Sequence, residues 1–139
     1  MIEEMSLKEN QQQIIEILEA HQNEAFQINS SPTENLSFAY TKDGCYLGGI
    51  TGKLTGNRLH ISLLAVKKEK RHLNIGTKLV KRVEEIAVKR ECLYLTVNTQ
   101  DFQGLRFYQN NGFEVFGELV DCPFEGTTKY YLKKSFQGK

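Results

Sequence analysis

The stretch Ile61–Val83, ISLLAVKKEKRHLNIGTKLVKRV, decides the fold. It reads as the end of a strand, a basic loop, a glycine and a helix. Leu59, Ile61 and Leu63 alternate with polar residues in the manner of a half-buried strand, and the phase shifts at Leu64 and Val66. Such a shift predicts either burial on both faces or a β-bulge, which adds one residue to one strand. Downstream, Ile75, Leu79, Val80, Val83, Ile86 and Ala87 fall on one helical stripe, with Lys78, Lys81, Arg82, Glu85 and Lys89 opposite. Between the two lie Lys67, Lys68, Lys70, Arg71 and His72, offset by the single acid Glu69. A basic loop that opens a helix can collect phosphate, because the first turn has free N–H groups and the positive end of the helix dipole. Gly76 lets an anion come close to the backbone. A solvated charged loop before an ordinary amphipathic helix would look the same. The order Gly76-Thr77-Lys78, with no glycine at the required spacing upstream, excludes a Walker A loop.

On the N-terminal side, Ser6-Leu7-Lys8-Glu9 has capping-box spacing. It predicts a helix to about His21 or Glu24 that buries Ile14, Ile15 and Leu18. Residues 27–35, QINSSPTEN, form a polar loop. Leu36–Tyr40 alternates as a strand, Asp43-Gly44 marks a tight turn, and Cys45–Gly52 reads as a second strand. On the C-terminal side, Cys92–Val97 is an apolar strand, so strand–helix–strand implies a parallel pair with a right-handed crossover. Asp101 reads as the N-cap of a short helix from Phe102 to about Asn110, with Gly112 just past its end. Phe113–Leu119 and Thr127 to about Lys134 complete the strands, with a polar turn from Asp121 to Gly126. This order predicts an α+β (mixed α/β) fold. One central mixed, mostly antiparallel sheet carries flanking helices, one on each side of the parallel pair, in a single domain over residues 1–139.

Composition narrows the partners. The 139 residues are 40% hydrophobic, and a formal net charge of +1 lacks the basic excess that nucleic-acid binding normally shows. The local excess of Lys67, Lys68, Lys70, Arg71, Lys78, Lys81 and Arg82 suits a compact polyanion instead. Three scattered cysteines, Cys45, Cys92 and Cys122, match neither a metal-ligand spacing nor a disulfide framework, so reduced thiols in a cytoplasm are expected, with no metal. The acidic start Met1-Ile2-Glu3-Glu4 is unlike a signal peptide, and no apolar run approaches membrane-spanning length.

Two segments carry a family resemblance. Arg71-His72-Leu73-Asn74-Ile75-Gly76-Thr77 resembles the Arg/Gln-x-x-Gly-x-Gly/Ala signature of the GNAT N-acetyltransferases, with Asn74 where the family has its first glycine. Asn tolerates positive φ better than most residues, so the turn survives the exchange. Leu105–Phe113, with Phe107-Tyr108 and Gly112-Phe113, is similar to the family's second fingerprint, and Thr99–Gly104 to a subgroup with a Phe-Gln-Ala run there. The resemblance implies a GNAT fold and acetyl-CoA as cosubstrate. Leu64, Ala65 and Val66 would match the end of the family's bulged fourth strand, which pairs with the pantetheine arm. Arg71, His72, Asn74, Ile75, Gly76 and Thr77 would line the pyrophosphate.

Acetyl transfer to an amine needs a held thioester, a neutral amine and a proton for the departing thiolate. By the resemblance, a backbone N–H near Ala65 or Val66 faces the thioester oxygen. Tyr108 is the candidate acid, since an ordinary phenol, near pKa 10, stays protonated at neutral pH. The base is open: Ser62 stands where the subgroup tends to carry Asp, His60 could relay a proton, and Asp121 and Glu125 could attract a cationic amine. The acceptor is expected to be a small-molecule or peptide amine, with no nucleic acid and no membrane involved. A homodimer is left open. The missing strand carboxylate and Asn74 keep a second reading alive, an acyl-CoA-binding module with little or no transfer. A third has Lys67–His72 dock an acidic partner.

Overall fold

The computed structural model describes residues 1–26 and 33–136, apart from the side chains of residues 22–26 and 72. Most of the expected loop at 27–35 therefore lies outside the described residues, and Glu34 and Asn35 already belong to the first strand. The chain divides into two compact units, Met1–Pro32 and Thr33–Lys139.

The first unit holds α1 (Leu7–Phe26). The capping-box serine acts as read: Ser6 Oγ accepts the Glu9 N–H at 3.3 Å. Ile14, Ile15 and Leu18 are 45, 46 and 58% exposed, against the expected burial. A single helix has nothing within its own unit on which to pack an apolar stripe.

The second unit is a six-stranded sheet with two helices. Its strands are β1 (Glu34–Lys42), β2 (Cys45–Thr55), β3 (Arg58–Val66), β4 (Tyr94–Thr99), β5 (Glu114–Val120) and β6 (Thr128–Ser135). The helices are α2 (Ile75–Lys89) and α3 (Phe102–Asn110), and a 3-10 turn, Lys68–Leu73, precedes α2. Strand order is β1-β2-β3-β4-β6-β5, and among neighbouring strands only β3 and β4 pair in parallel. The mixed, mostly antiparallel sheet is the one the sequence predicts.

Both crossovers, β3–α2–β4 and β4–α3–β5, join parallel strands and step across the sheet in the same direction. Two right-handed crossovers of that kind place their helices on one face. Accordingly, Ile75, Leu79, Val80, Val83 and Ala87 of α2 share a core with Leu105 and Tyr108 of α3, with Phe113 after it and with Leu59, Ile61, Leu95 and Leu132 of the sheet. A Cβ placed on Gly76 would lie 3.2 Å from the Phe107 ring, so α2 and α3 touch. The expected helix on each side of the parallel pair is thus replaced by two neighbours on the same face.

The predicted bulge is present, but earlier than the phase of Leu64 and Val66 suggests. Pairing steps from Gly52↔Ile61 to Thr51↔Leu63, which leaves Ser62 as the extra residue. Leu63 is thereby turned outward, 71% exposed, while Leu64 and Val66 pack against the core.

Candidate active site

The site begins where the sheet stops being continuous. β3 and β4 share three rungs, Arg58↔Tyr94, Leu59↔Leu95 and His60↔Thr96. Beyond them β4 stays paired with β6 as far as Thr99↔Tyr130, while β3 stays paired only with β2 as far as Val66↔Gly48. The bulge at Ser62 adds local twist and turns the end of β3 away from β4. The Lys67 N–H reaches the Leu47 carbonyl at 2.9 Å. Antiparallel pairing alternates, so Ala65 also points its backbone groups at β2, while Leu64 and Val66 point theirs into the gap. The Val66 carbonyl accepts from Arg71 Nε at 3.3 Å on that open side.

The gap widens into a cleft of about 430 Å³. Leu64, Ala65 and Val66 form one wall, Thr99, Asp101, Gln103, Gly104, Phe107 and Tyr108 the other, and Arg71, Asn74, Gly76 and Thr77 one end. Asn74 has φ 59° and ψ 24°, the left-handed conformation a glycine would take, and it links the 3-10 turn to α2. The Asn74 side chain makes no cap hydrogen bond to α2, and no acid stands in its first turn. Its leading N–H groups and positive dipole end are therefore free for an anion. Lys78 and Arg82, which the sequence groups with the anion footprint, lie over the rings of Tyr40 and Phe38 on β1.

The second helix presents a capped N-terminus to the same cleft. Asp101 Oδ1 accepts the Gln103 N–H at 3.0 Å, and Thr99 Oγ1 accepts the Asp101 N–H at 3.3 Å. Gly104 makes room for that threonine: a Cβ there would sit 2.5 Å from Thr99 Oγ1. Two turns on, the Tyr108 ring is wedged edge-on between Phe107 and Phe113, with centroids 5.1 and 5.4 Å away. Tyr108 is 7% exposed and lines the cleft. Burial disfavours the phenolate and pushes the phenol up to about 12, which corrects the expectation of an ordinary tyrosine acid.

Of the residues singled out from sequence, the cleft brings together Leu64, Ala65, Val66, Arg71, Asn74, Gly76, Thr77 and Tyr108. Ile75 is 1% exposed, with its side chain in the core, so only its backbone can serve a ligand. The His72 side chain lies outside the described residues. His60 is not in the cleft lining; its Nδ1 lies 2.7 Å from Thr96 Oγ1 on the last rung, and burial followed by the Arg58 charge lowers its pKa. Asp121 is engaged within the β5–β6 turn, where Oδ1 accepts the Gly126 N–H at 2.9 Å, and neither it nor Glu125 lines the cleft. Thr99, Asp101, Gln103, Gly104 and Phe107 are given no part in the site by the sequence reading, where Asp101 is only a helix cap, yet they form most of one wall. Their signal was available: positions 101, 104, 107 and 108 fall at helical spacing on the face that carries Tyr108.

A family model for the acetyltransferase (GNAT) family matches residues 3–113. Blasticidin-S acetyltransferase from Streptomyces morookaense is 32% identical over 99 residues, 70% of this chain and 72% of that protein. The acetyltransferase Atu2258 from Agrobacterium fabrum is 32% identical over 94 residues, 68% of each chain. The crystal structure of an acetyltransferase from Bacillus cereus superposes with a TM-score of 0.83 at 25% identity, covering 97% of this chain and 96% of the other. The chain belongs to the GNAT acetyltransferase family, and it is an acetyl-CoA-dependent acetyltransferase. The alternative of a non-transferring module finds no support in relatives that are themselves named as transferases.

Proposed function

We propose that this chain transfers the acetyl group of acetyl-CoA to the primary amine of a small molecule. The observation that carries this reading is the charge layout of one cleft. An uncapped helix N-terminus with Arg71 stands at one end, and a buried tyrosine lines the wall of the same cavity beside the unpaired edge of β3. That arrangement fits a long thioester with a diphosphate. The backbone of residues 74–77 and the Arg71 guanidinium would hold the phosphates. Leu64 and Val66 offer backbone groups to an extended amide chain, and the Val66 N–H is the donor best directed at a developing negative charge on the thioester oxygen. Of the two expected donors this favours Val66 over Ala65, whose backbone groups face β2. Tyr108 supplies the proton to the departing sulfur. A phenol pushed up to about 12 is a weaker acid than a thiol in water. The sulfur leaves in the same desolvated place, however, and its thiolate becomes more basic for the same reason.

A peptide amine would meet the same chemistry. The name of the Streptomyces relative favours a small molecule as acceptor. The family match starts at residue 3, which supports residues 1–139 acting as one domain. Cys45, Cys92 and Cys122 are all free thiols, in keeping with a cytoplasmic setting. The test is thermal melting with and without acetyl-CoA, followed by a thiol-release assay over a panel of primary amines that includes blasticidin S. A rise in Tm by mass action together with amine-dependent release is expected. A protein whose melting ignores acetyl-CoA would refute the reading.

A further inference from the structure

A reaction on an ammonium needs a proton acceptor as well as an acid, and the described residues of the cleft contain one carboxylate, Asp101. Its place is fixed on both sides. Oδ1 caps α3 through the Gln103 N–H, and the Asp101 N–H is held by Thr99, which Gly104 accommodates. The cap occupies one oxygen and leaves Oδ2 without a partner among the described residues. Tyr108 follows seven residues later, two helical turns or about 10 Å along the axis. Both residues line the same wall of the cleft. The two helix termini that meet the cleft also differ in charge. α2 meets it with an open positive terminus and Arg71, whereas α3 meets it with a terminus already filled by its own carboxylate. The α2 terminus suits phosphate and the wall at Asp101 a cation.

We infer that Asp101 receives the ammonium group of the acceptor and takes its first proton, an assignment that rests on the amine acetyltransferase reading above. The ammonium pairs with the carboxylate and gives it one proton. The lone pair on the freed nitrogen then forms the bond to the thioester carbonyl carbon. The carbon–sulfur pair leaves with sulfur, which takes the Tyr108 hydroxyl proton. Nitrogen returns its surplus proton to the phenolate, and Asp101 releases its own to solvent. Ammonium and thioester thus become amide, thiol and one free proton. Among the described residues, the other ionisable groups lining the cleft are Arg71, before α2, and Tyr108, on α3. β3, β4 and α2 contribute none.

Asp101→Asn tests this, because asparagine caps a helix as well as aspartate and removes only the charge. Wild-type protein is first assayed for thiol release with blasticidin S, tyramine and ethanolamine, and the variant with whichever of them turns over fastest. At pH 7 the variant's kcat/KM for the amine should fall about 10²-fold, with the acetyl-CoA-induced rise in Tm unchanged. At pH 9.5 solvent itself deprotonates the amine, so the deficit should shrink to about tenfold or less. Asp101→Ser, a second cap-competent change, should behave alike. A kcat/KM within about twofold of wild type, a deficit equal at both pH values, or a lost response to acetyl-CoA would each overturn the assignment. Wild-type protein that responds to acetyl-CoA but acetylates none of the amines would sink the small-molecule amine reading, and this assignment with it.

Discussion

Replacing Tyr108 by Phe separates the hydroxyl's chemistry from the ring's packing. The ring contacts with Phe107 and Phe113 remain, so stability at pH 8 should change by no more than about 1 kcal/mol, the usual net worth of one polar group. Activity should fall with kcat lowered about 10²–10⁴-fold and acetyl-CoA affinity kept. The raised phenol adds a second, independent signature. Its folded value is about 12, against about 10 for an unfolded tyrosine. The folded state therefore holds this proton more tightly. The corresponding stability is present below pH 10 and is lost as the pH climbs through 12. Two units at about 1.4 kcal/mol each make that loss roughly 3 kcal/mol. Phenylalanine has no such proton, so by pH 11.5 the variant should have gained about 2 kcal/mol on wild type, the rest of the loss falling at higher pH. Urea unfolding of both proteins at pH 8 and at pH 11.5 measures the difference, and the other tyrosines cancel in it. Parallel loss of stability in the two proteins would refute the claim that the hydroxyl is buried. An unchanged kcat would refute its role as the acid.

Three further outcomes concern the phosphate end. Asn74→Gly keeps the left-handed turn, so the Kd for acetyl-CoA should stay within about threefold by calorimetry, a change of roughly 0.7 kcal/mol at most. A larger loss would reveal a specific contact from the asparagine amide. Gly76→Val should lower Tm even without ligand, since the new Cβ meets the Phe107 ring at 3.2 Å, and overpacking costs about 1–3 kcal/mol. Restored melting in the double variant with Phe107→Leu would confirm that cause, and a variant that melts normally would exclude it. Arg71→Ala should weaken acetyl-CoA binding more at 20 mM than at 500 mM salt, because screening already suppresses the attraction at high salt. Equal losses at both would assign Arg71 to holding Val66 rather than to phosphate.

The elements of this fold were legible wherever one period dominated. α2 declares itself through the stripe from Ile75 to Ala87, and β4 through its run of β-branched and aromatic residues. The bulge was legible as a phase change but not as a position. Leu63 and Leu64 are equally apolar, and only the cross-strand partners Thr51 and Gly52 reveal that Ser62 is the inserted residue. That α2 and α3 share a face depends on strand order, which no single segment encodes. The site shows the same division. Arg71, Asn74, Gly76 and Tyr108 lie within compact motifs. Thr99 and Gly104 matter because each occupies the space the other leaves, and Asp101 looks like an ordinary cap until the cleft beside it is seen. Conversely, Lys78 and Arg82 read as part of an anion site because charge is visible in a sequence, whereas the rings of Tyr40 and Phe38 beneath them are not.

The early parting of β3 and β4 gives the molecule an unusual kind of rim. A sheet ordinarily keeps its bare edges on the outside, where they invite stray polypeptide. Here one lies inside. From Ile61 to Val66, about 20 Å of β3 at 3.3 Å per residue, the strand has a neighbour on one flank only. Its vacant flank opens into the cleft that Thr99 and α3 line on the other side. A folded neighbour cannot reach it, but a slender chain with amide groups of its own can be threaded along it. The feature that makes an outer strand sticky has been turned inward and becomes a sieve. His60 and Thr96, bonded across the last rung, mark how deep the gap runs.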